Sequence, residues 1–143
     1  MSAVSNPRQL ILAVSAILVG AVALVVASGV IPLVRAGSVP NITSERAVPA
    51  FWLAVGIHLL AAVVLLVARI VSKDRSRVAT SVLLVTAITI LLAGFALGDA
   101  AKAPLEIGAP LQVVTMILLG CVAADTIAGV LTITAALLRP ARA

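Results

Sequence analysis

The sequence predicts an all-α, polytopic integral membrane protein, a bundle of four transmembrane helices, and three observations support this prediction. Hydrophobic residues make up 63% of the 143 residues and charged residues only 10%, against about 25% charged in soluble domains. The mean hydropathy is +1.30. The charges fall in a few short segments, so that four long apolar stretches remain between them. Each stretch is long enough to cross a bilayer as a helix that satisfies its own backbone.

Four spans are predicted, at about residues 10–34, 50–71, 78–97 and 111–138. The loops between them are then residues 35–49, 72–77 and 98–110. Asn6-Pro7 is typical of a helix N-cap followed by proline at the first helical position, and Pro49 and Pro110 stand just ahead of the second and fourth spans. None of the loops is long enough for a soluble domain, so residues 1–143 are expected to form a single membrane domain.

The distribution of positive charge predicts the orientation. Seven positive residues flank one end of the spans: Arg8, Arg69, Lys73, Arg75, Arg77, Arg139 and Arg142. Three flank the other end: Arg35, Arg46 and Lys102. The positive-inside rule therefore places both terminal segments and loop 72–77 in the cytoplasm, with Trp52 as an aromatic anchor at the outer interface. Arg outnumbers Lys eight to two among mostly Ala, Val and Leu, which favours a GC-rich, actinobacteria-like genome and a bacterial cytoplasmic membrane.

Asp125 is the main candidate for a functional residue. No charge occurs from Ile107 to Ala124 or from Thr126 to Leu138, so the carboxyl group falls within a span, where it costs roughly 2.5–3.5 kcal/mol on insertion scales. Three interpretations stay open. The residue lies near the inner interface and is reached by water, it pairs with a partner subunit, or it couples transport to a proton or cation. Small residues share its helix face, at Cys121, Ala128, Gly129 and Thr132, and predict packing against another helix.

His58 is the second candidate. It shares a helix face with Ala54, Ala61, Ala62 and Leu65, and an interhelical hydrogen bond explains it without a further function. Counted from the outer ends of their spans, His58 is about 12 Å deep and Asp125 about 21 Å. This difference in depth predicts that the two side chains do not touch, unless the fourth span begins well outside the membrane.

Small residues at helical spacing predict where the helices approach closely. Gly94 and Gly98 form a GxxxG pattern in the third span, Ala16-x-x-x-Gly20 occurs in the first, and Gly120 with Ala124 and Ala128 continues the pattern in the fourth. Such residues let helix backbones pack closely in lipid. Together with Gly129, the four glycines in these patterns are the predicted packing positions.

Several function classes are disfavoured by the residue inventory. One cysteine, Cys121, and one histidine, His58, do not suffice for an intrachain disulfide, a Cys-x-x-Cys site, a bis-histidine haem or a conventional metal cluster. No general acid and base pair or activated nucleophile is visible in the sequence. The surplus of Lys and Arg lies in short loops, which indicates membrane orientation and no nucleic-acid partner. The expectation is a non-enzymatic protein without a cofactor.

Three functions remain, and the sequence does not decide between them. The leading expectation is an accessory or stabilising subunit of a larger inner-membrane complex, such as a transporter, respiratory or envelope-lipid assembly. The alternative is a small proton-coupled transporter or channel that uses Asp125, as an oligomer. A lipid- or quinone-binding membrane protein is the third. The expected partners are membrane lipids and a larger integral membrane protein.

Overall fold

Four long helices make up the described part of the chain. The structure is a computed structural model, and it describes residues 6–36, 44–71, 77–106 and 113–138. The helices are α1 (Pro7–Arg35), α2 (Ser44–Val71), α3 (Arg77–Glu106) and α4 (Val113–Leu137). All four are long and apolar enough to cross a membrane. The prediction of an all-helical chain with four candidate spans is therefore confirmed.

Two helix ends differ from the prediction. α2 begins at Ser44, so Pro49 lies inside the helix, where it removes one hydrogen bond near the N-terminal end. α3 continues past Gly98 to Glu106. α2 therefore begins within the predicted loop 35–49, and α3 ends within the predicted loop 98–110. Pro110 and residues 72–76 lie outside the described residues. At the start of α1 the prediction is confirmed, because the Asn6 side chain accepts a hydrogen bond from the Arg8 backbone N–H at 3.1 Å, and Pro7 follows the cap.

α1 contains a wide turn that the sequence analysis did not predict. An α-helix over Pro7–Val25 changes to a π-helix over Val26–Val30 and returns to an α-helix over Ile31–Arg35. The backbone N–H of Ile31 donates to the carbonyl of Val26, five residues earlier. Pro32 follows directly, and its ring would clash with the carbonyl of Ser28 in a regular α-helix. Widening the preceding turn relieves that clash.

The four helices run up and down, and two apolar clusters fill the space between them. One cluster joins Leu12, Leu65, Leu83 and Ala135, one from each helix in chain order. The other joins Ile31, Phe51, Ala101 and Val114 in the same way. The end at which α1 and α3 begin is here called the basic end, and the other is the opposite end. α3 packs most extensively on α4, whereas α1 packs on both α2 and α4.

The outward faces of the helices carry large apolar side chains. Ile17, Leu60, Phe95 and Val130 are all exposed, which suits faces that meet lipid. Trp52 is 46% exposed on the first half of α2. The described residues are therefore consistent with a multi-pass membrane protein in which apolar residues lie both inside and outside the bundle.

Candidate functional site

Asp125 lies at the centre of the bundle, on the buried face of α4. Its side chain has 0% exposure. The four residues predicted to share its face, Cys121, Ala128, Gly129 and Thr132, are all buried. Their small side chains let α4 approach its neighbours closely and place the carboxyl group against them. Within this chain the carboxyl group therefore lies inside the bundle, with no exposed surface of its own.

His58 is the partner of Asp125, and the prediction that the two side chains do not touch is wrong. The His58 side chain is 1% exposed. Its Nε2 atom lies 3.0 Å from Oδ1 and 2.9 Å from Oδ2 of Asp125. The two groups form a buried pair that connects α2 to α4 across 67 residues of sequence.

The depth estimate failed because the helix ends were misplaced. It counted His58 from a span that began after Pro49, whereas α2 begins at Ser44. His58 is then 14 residues into its helix, and Asp125 is 12 residues beyond Val113, where the described part of α4 begins. The two side chains differ in depth by about 3 Å at 1.5 Å per residue, which side chains of this length can span.

A second hydrogen bond fixes the protonation of the imidazole ring. Nδ1 of His58 lies 2.6 Å from the backbone carbonyl oxygen of Ala54. A carbonyl oxygen can only accept, so Nδ1 carries a proton and donates it. In a neutral ring Nε2 then holds a lone pair, which would face the Asp125 oxygens. A second proton must therefore lie between His58 and Asp125, either on Nε2 or on the carboxyl group.

The pair thus holds one shared proton and has no net charge in either form. With the proton on Nε2, an imidazolium donates to a carboxylate. With the proton on the carboxyl group, the O–H donates to a neutral ring. Removing the shared proton leaves a net negative charge at the centre of the bundle, which is costly among apolar side chains. The arrangement can therefore hold one proton between the two side chains.

Gly94 makes room for the carboxyl group. A Cβ atom at this position of α3 would lie 2.8 Å from Cβ and 3.3 Å from Oδ2 of Asp125. At Gly129 a Cβ atom would lie 2.5 Å from Cδ2 of Leu91, and at Gly98 it would lie 3.4 Å from Cγ2 of Val122. These three glycines lie where α3 and α4 pack most closely. The predicted packing role holds best for Gly94 and Gly129, both of which are buried.

Two other predicted packing glycines are not at close contacts. A Cβ atom at Gly20 or Gly120 would meet nothing within 4 Å, and Gly120 is exposed. Within the described bundle these two positions are therefore not points of close approach between helices. Gly120 precedes the buried Cys121 and lines an open groove between α1 and α4. In an alanine-rich chain, GxxxA spacing alone does not select the packing face.

Three buried polar atoms were missed by the sequence analysis. Within the described part of the chain, the side-chain atoms Nε of Arg8, Oγ of Ser15 and Oγ1 of Thr115 have no hydrogen-bond partner. All three residues are at most 3% exposed. Arg8 was counted only for the orientation of the chain. Its place in the first turn of α1, four residues before the buried Leu12, was the available signal that it faces the bundle.

The site contains few groups that could bind a metal ion. Across residues 6–36, 44–71, 77–106 and 113–138, no three His, Cys, Asp or Glu residues are grouped so that they could hold one. Cys121 is buried one turn from Asp125, on the same face of α4.

Comparison of the chain with protein-family models, with curated proteins and with solved structures finds no match. The geometry of the pair is therefore the basis on which a function can be proposed.

Proposed function

We propose that the chain is a small, non-enzymatic integral membrane protein that transfers protons through its His58–Asp125 pair, as a proton-coupled transporter or channel. The observation that carries this proposal is the contact of Nε2 of His58 with both carboxyl oxygens of Asp125 at the centre of the bundle. An ionisable residue inside a membrane domain is costly and therefore favours a function. Because Asp125 pairs within its own chain, pairing with another subunit is no longer needed to explain it.

A proton suits this site better than a metal cation. Hard cations take about six oxygen ligands, whereas Nε2 of His58 already lies within 3.0 Å of both Asp125 oxygens. A cation would have to displace the imidazole and find its remaining ligands among Gly94 and the apolar residues nearby. A proton needs only the two groups that are present.

Proton flux into liposomes tests the proposal. Purified protein is reconstituted with a pH-sensitive dye inside the vesicles, and the response to a pH step is measured with the membrane potential clamped. Asp125→Asn is expected to abolish the protein-dependent flux, because the amide has no exchangeable acid proton. Asp99→Asn is the matched control, since Asp99 is an exposed acid on α3. Flux through Asp125→Asn at the wild-type rate, or no wild-type flux above protein-free vesicles, would overturn the proposal.

The proposed location is a bacterial cytoplasmic membrane, with both terminal segments in the cytoplasm. The seven-to-three distribution of positive charges supports this orientation. An impermeant thiol reagent applied to intact cells tests it on a Cys121→Ser background. Ser38→Cys is expected to react, and Ser72→Cys is expected to react only after the cells are opened. The reverse pattern would refute the orientation.

An accessory subunit of a larger membrane complex is the second candidate. One observation favours it: apolar clusters lie on both sides of the His58–Asp125 pair along the bundle, so a permanently closed pair would serve to hold α2 against α4. Mass spectrometry of the complex purified from native membranes separates the two candidates. A stoichiometric large partner, together with no proton flux from the isolated chain, would favour the subunit.

A further inference from the structure

Arg8 is a buried cation with no side-chain partner among the described residues. Its side chain is 3% exposed, and Nε has no hydrogen-bond partner. No carboxylate in the described part of the chain forms an ion pair with it. The Asn6 side chain accepts from the Arg8 backbone N–H at 3.1 Å, which fixes the first turn of α1 but gives no partner to the buried Nε atom. A guanidinium group stays charged in proteins, so an opposite charge is needed to offset its burial.

The surroundings of Arg8 favour an anion. α1 and α3 both begin at the basic end, and neither has an acidic residue in its first turn. The N-termini of helices carry partial positive charge from their backbone dipoles. Among the described acids, Asp99 is near the opposite end and Asp125 pairs with His58. Asp74 lies in residues 72–76, outside the described residues, so within the described part of the chain no side chain at the basic end supplies a negative charge to Arg8.

The length of α1 brings Arg8 to the depth of lipid headgroups. Pro7–Arg35 spans 29 residues, or about 43 Å at 1.5 Å per residue, whereas the hydrocarbon core is about 30 Å thick. Arg8 is the second residue of this helix, so it lies beyond the hydrocarbon when the bundle is centred. Phosphate groups of phospholipids lie at that depth. The planar guanidinium fork matches phosphate oxygens, which it binds with two parallel hydrogen bonds.

We propose that Arg8 binds a phosphate group at the basic end of the bundle, and that an anionic phospholipid supplies it. This inference is independent of the proposed proton transfer, because Arg8 and Asp125 lie far apart along the bundle. The lipid headgroup enters between helix ends, and its phosphate offsets the buried charge. Anionic lipids are known to occupy basic pockets between transmembrane helices in this way.

Thermal unfolding with defined additives tests the proposal. The protein in neutral detergent is measured alone, with phosphatidylglycerol, with phosphatidylcholine and with inorganic phosphate. Arg8→Gln removes the charge, and Arg77→Gln is the matched control, because Arg77 is an exposed cation at the same end. Phosphatidylglycerol is expected to raise the Tm of the wild type and of Arg77→Gln, but not of Arg8→Gln. Without lipid, Arg8→Gln is expected to be at least as stable as the wild type, since it removes an unpaired charge.

Native mass spectrometry gives a second readout that does not depend on unfolding. Wild-type protein is expected to retain phosphatidylglycerol over phosphatidylcholine, and Arg8→Gln to lose roughly tenfold or more in affinity, as for a hydrogen bond to a charged group. An equal response of Arg8→Gln to phosphatidylglycerol in both measurements would overturn the proposal. A full Tm rise with inorganic phosphate alone would overturn the lipid as the source. If Arg8→Gln does not fold, Arg8→Lys keeps the charge without the fork, and undiminished lipid retention by it would count against bidentate binding.

Discussion

Replacing Gly94 by alanine tests whether close packing of α3 on α4 holds the proton site together. The new Cβ atom would lie 2.8 Å from Cβ of Asp125, whereas carbon atoms in contact are about 3.5–4.0 Å apart. Cβ of Asp125 is fixed to the backbone and cannot rotate away. The two helices must therefore separate locally by about 1 Å to restore that contact distance.

A displacement of this size endangers the His58–Asp125 contact. The Nε2–oxygen distances are 2.9 and 3.0 Å, and at about 3.6 Å the contact is no longer a hydrogen bond. A separation of the helices by about 1 Å is therefore enough to break it. Overpacking costs about 1–3 kcal/mol of stability. The loss of an interhelical hydrogen bond in a membrane protein costs about 0.6 kcal/mol on average and about 1.7 kcal/mol at most. Because alanine has a higher helix propensity than glycine, the substitution also stabilises α3 by about 1 kcal/mol. The expected net loss is about 0.6–3.7 kcal/mol, or about 2–11 °C in Tm at roughly 3 °C per kcal/mol.

Thermal unfolding in detergent, followed by the fluorescence of Trp52, measures this loss. Gly120→Ala is the matched control, because it makes the same change in a transmembrane helix where a Cβ atom meets nothing within 4 Å. Its Tm is expected to equal or exceed that of the wild type. If Gly94→Ala is as stable as Gly120→Ala, then α3 does not confine Asp125 as described, and the reasoning is refuted.

Two further substitutions are expected to separate hydrogen bonding from packing, with the same unfolding measurement. Asp125→Asn is expected to keep the wild-type stability to within about 0.5 kcal/mol, because its amide can donate a hydrogen bond to Nε2 of His58. Asp125→Ala leaves Nε2 unpaired and is expected to lose about 1–2 kcal/mol of stability. Equal stability of the two variants would contradict the pairing. Gly129→Ala is expected to lose less stability than Gly94→Ala, because its new methyl group meets the branched end of the Leu91 side chain. That side chain can change rotamer at a cost of about 1 kcal/mol. A larger loss of stability for Gly129→Ala would show that Leu91 cannot move.

The four spans could be predicted because hydrophobic length is a property of the sequence alone. Uncharged stretches identified each helix, and Asn6-Pro7 identified the start of α1. The ends of α2 and α3 could not be predicted in the same way. Pro49 stops a helix in some contexts and lies near its beginning in others, and the π-helix at Val26–Val30 depends on how α1 accommodates Pro32.

The candidate site was predicted residue by residue but not as a pair. Both His58 and Asp125 stood out because polar groups are rare in apolar spans, and the buried face around Asp125 followed from helical spacing. Their contact depends on the relative depth of two helices, which moves by 1.5 Å for each residue of error in a helix end. The spacing of small residues also predicted Gly94 and Gly120 equally as packing positions, because spacing does not say which face of a helix meets a neighbouring helix.

The chain order of the His58–Asp125 pair has a consequence for biosynthesis. α2 and α3 leave the ribosome before α4, so His58 is already in the membrane when Asp125 arrives. An isolated carboxyl group near the middle of a helix reduces insertion by roughly 2.5–3.5 kcal/mol on insertion scales, and contact with His58 offsets part of that cost at the moment α4 enters. α4 made without α2 is therefore expected to insert less completely than α4 in the whole chain, because His58 is then missing when Asp125 enters the membrane.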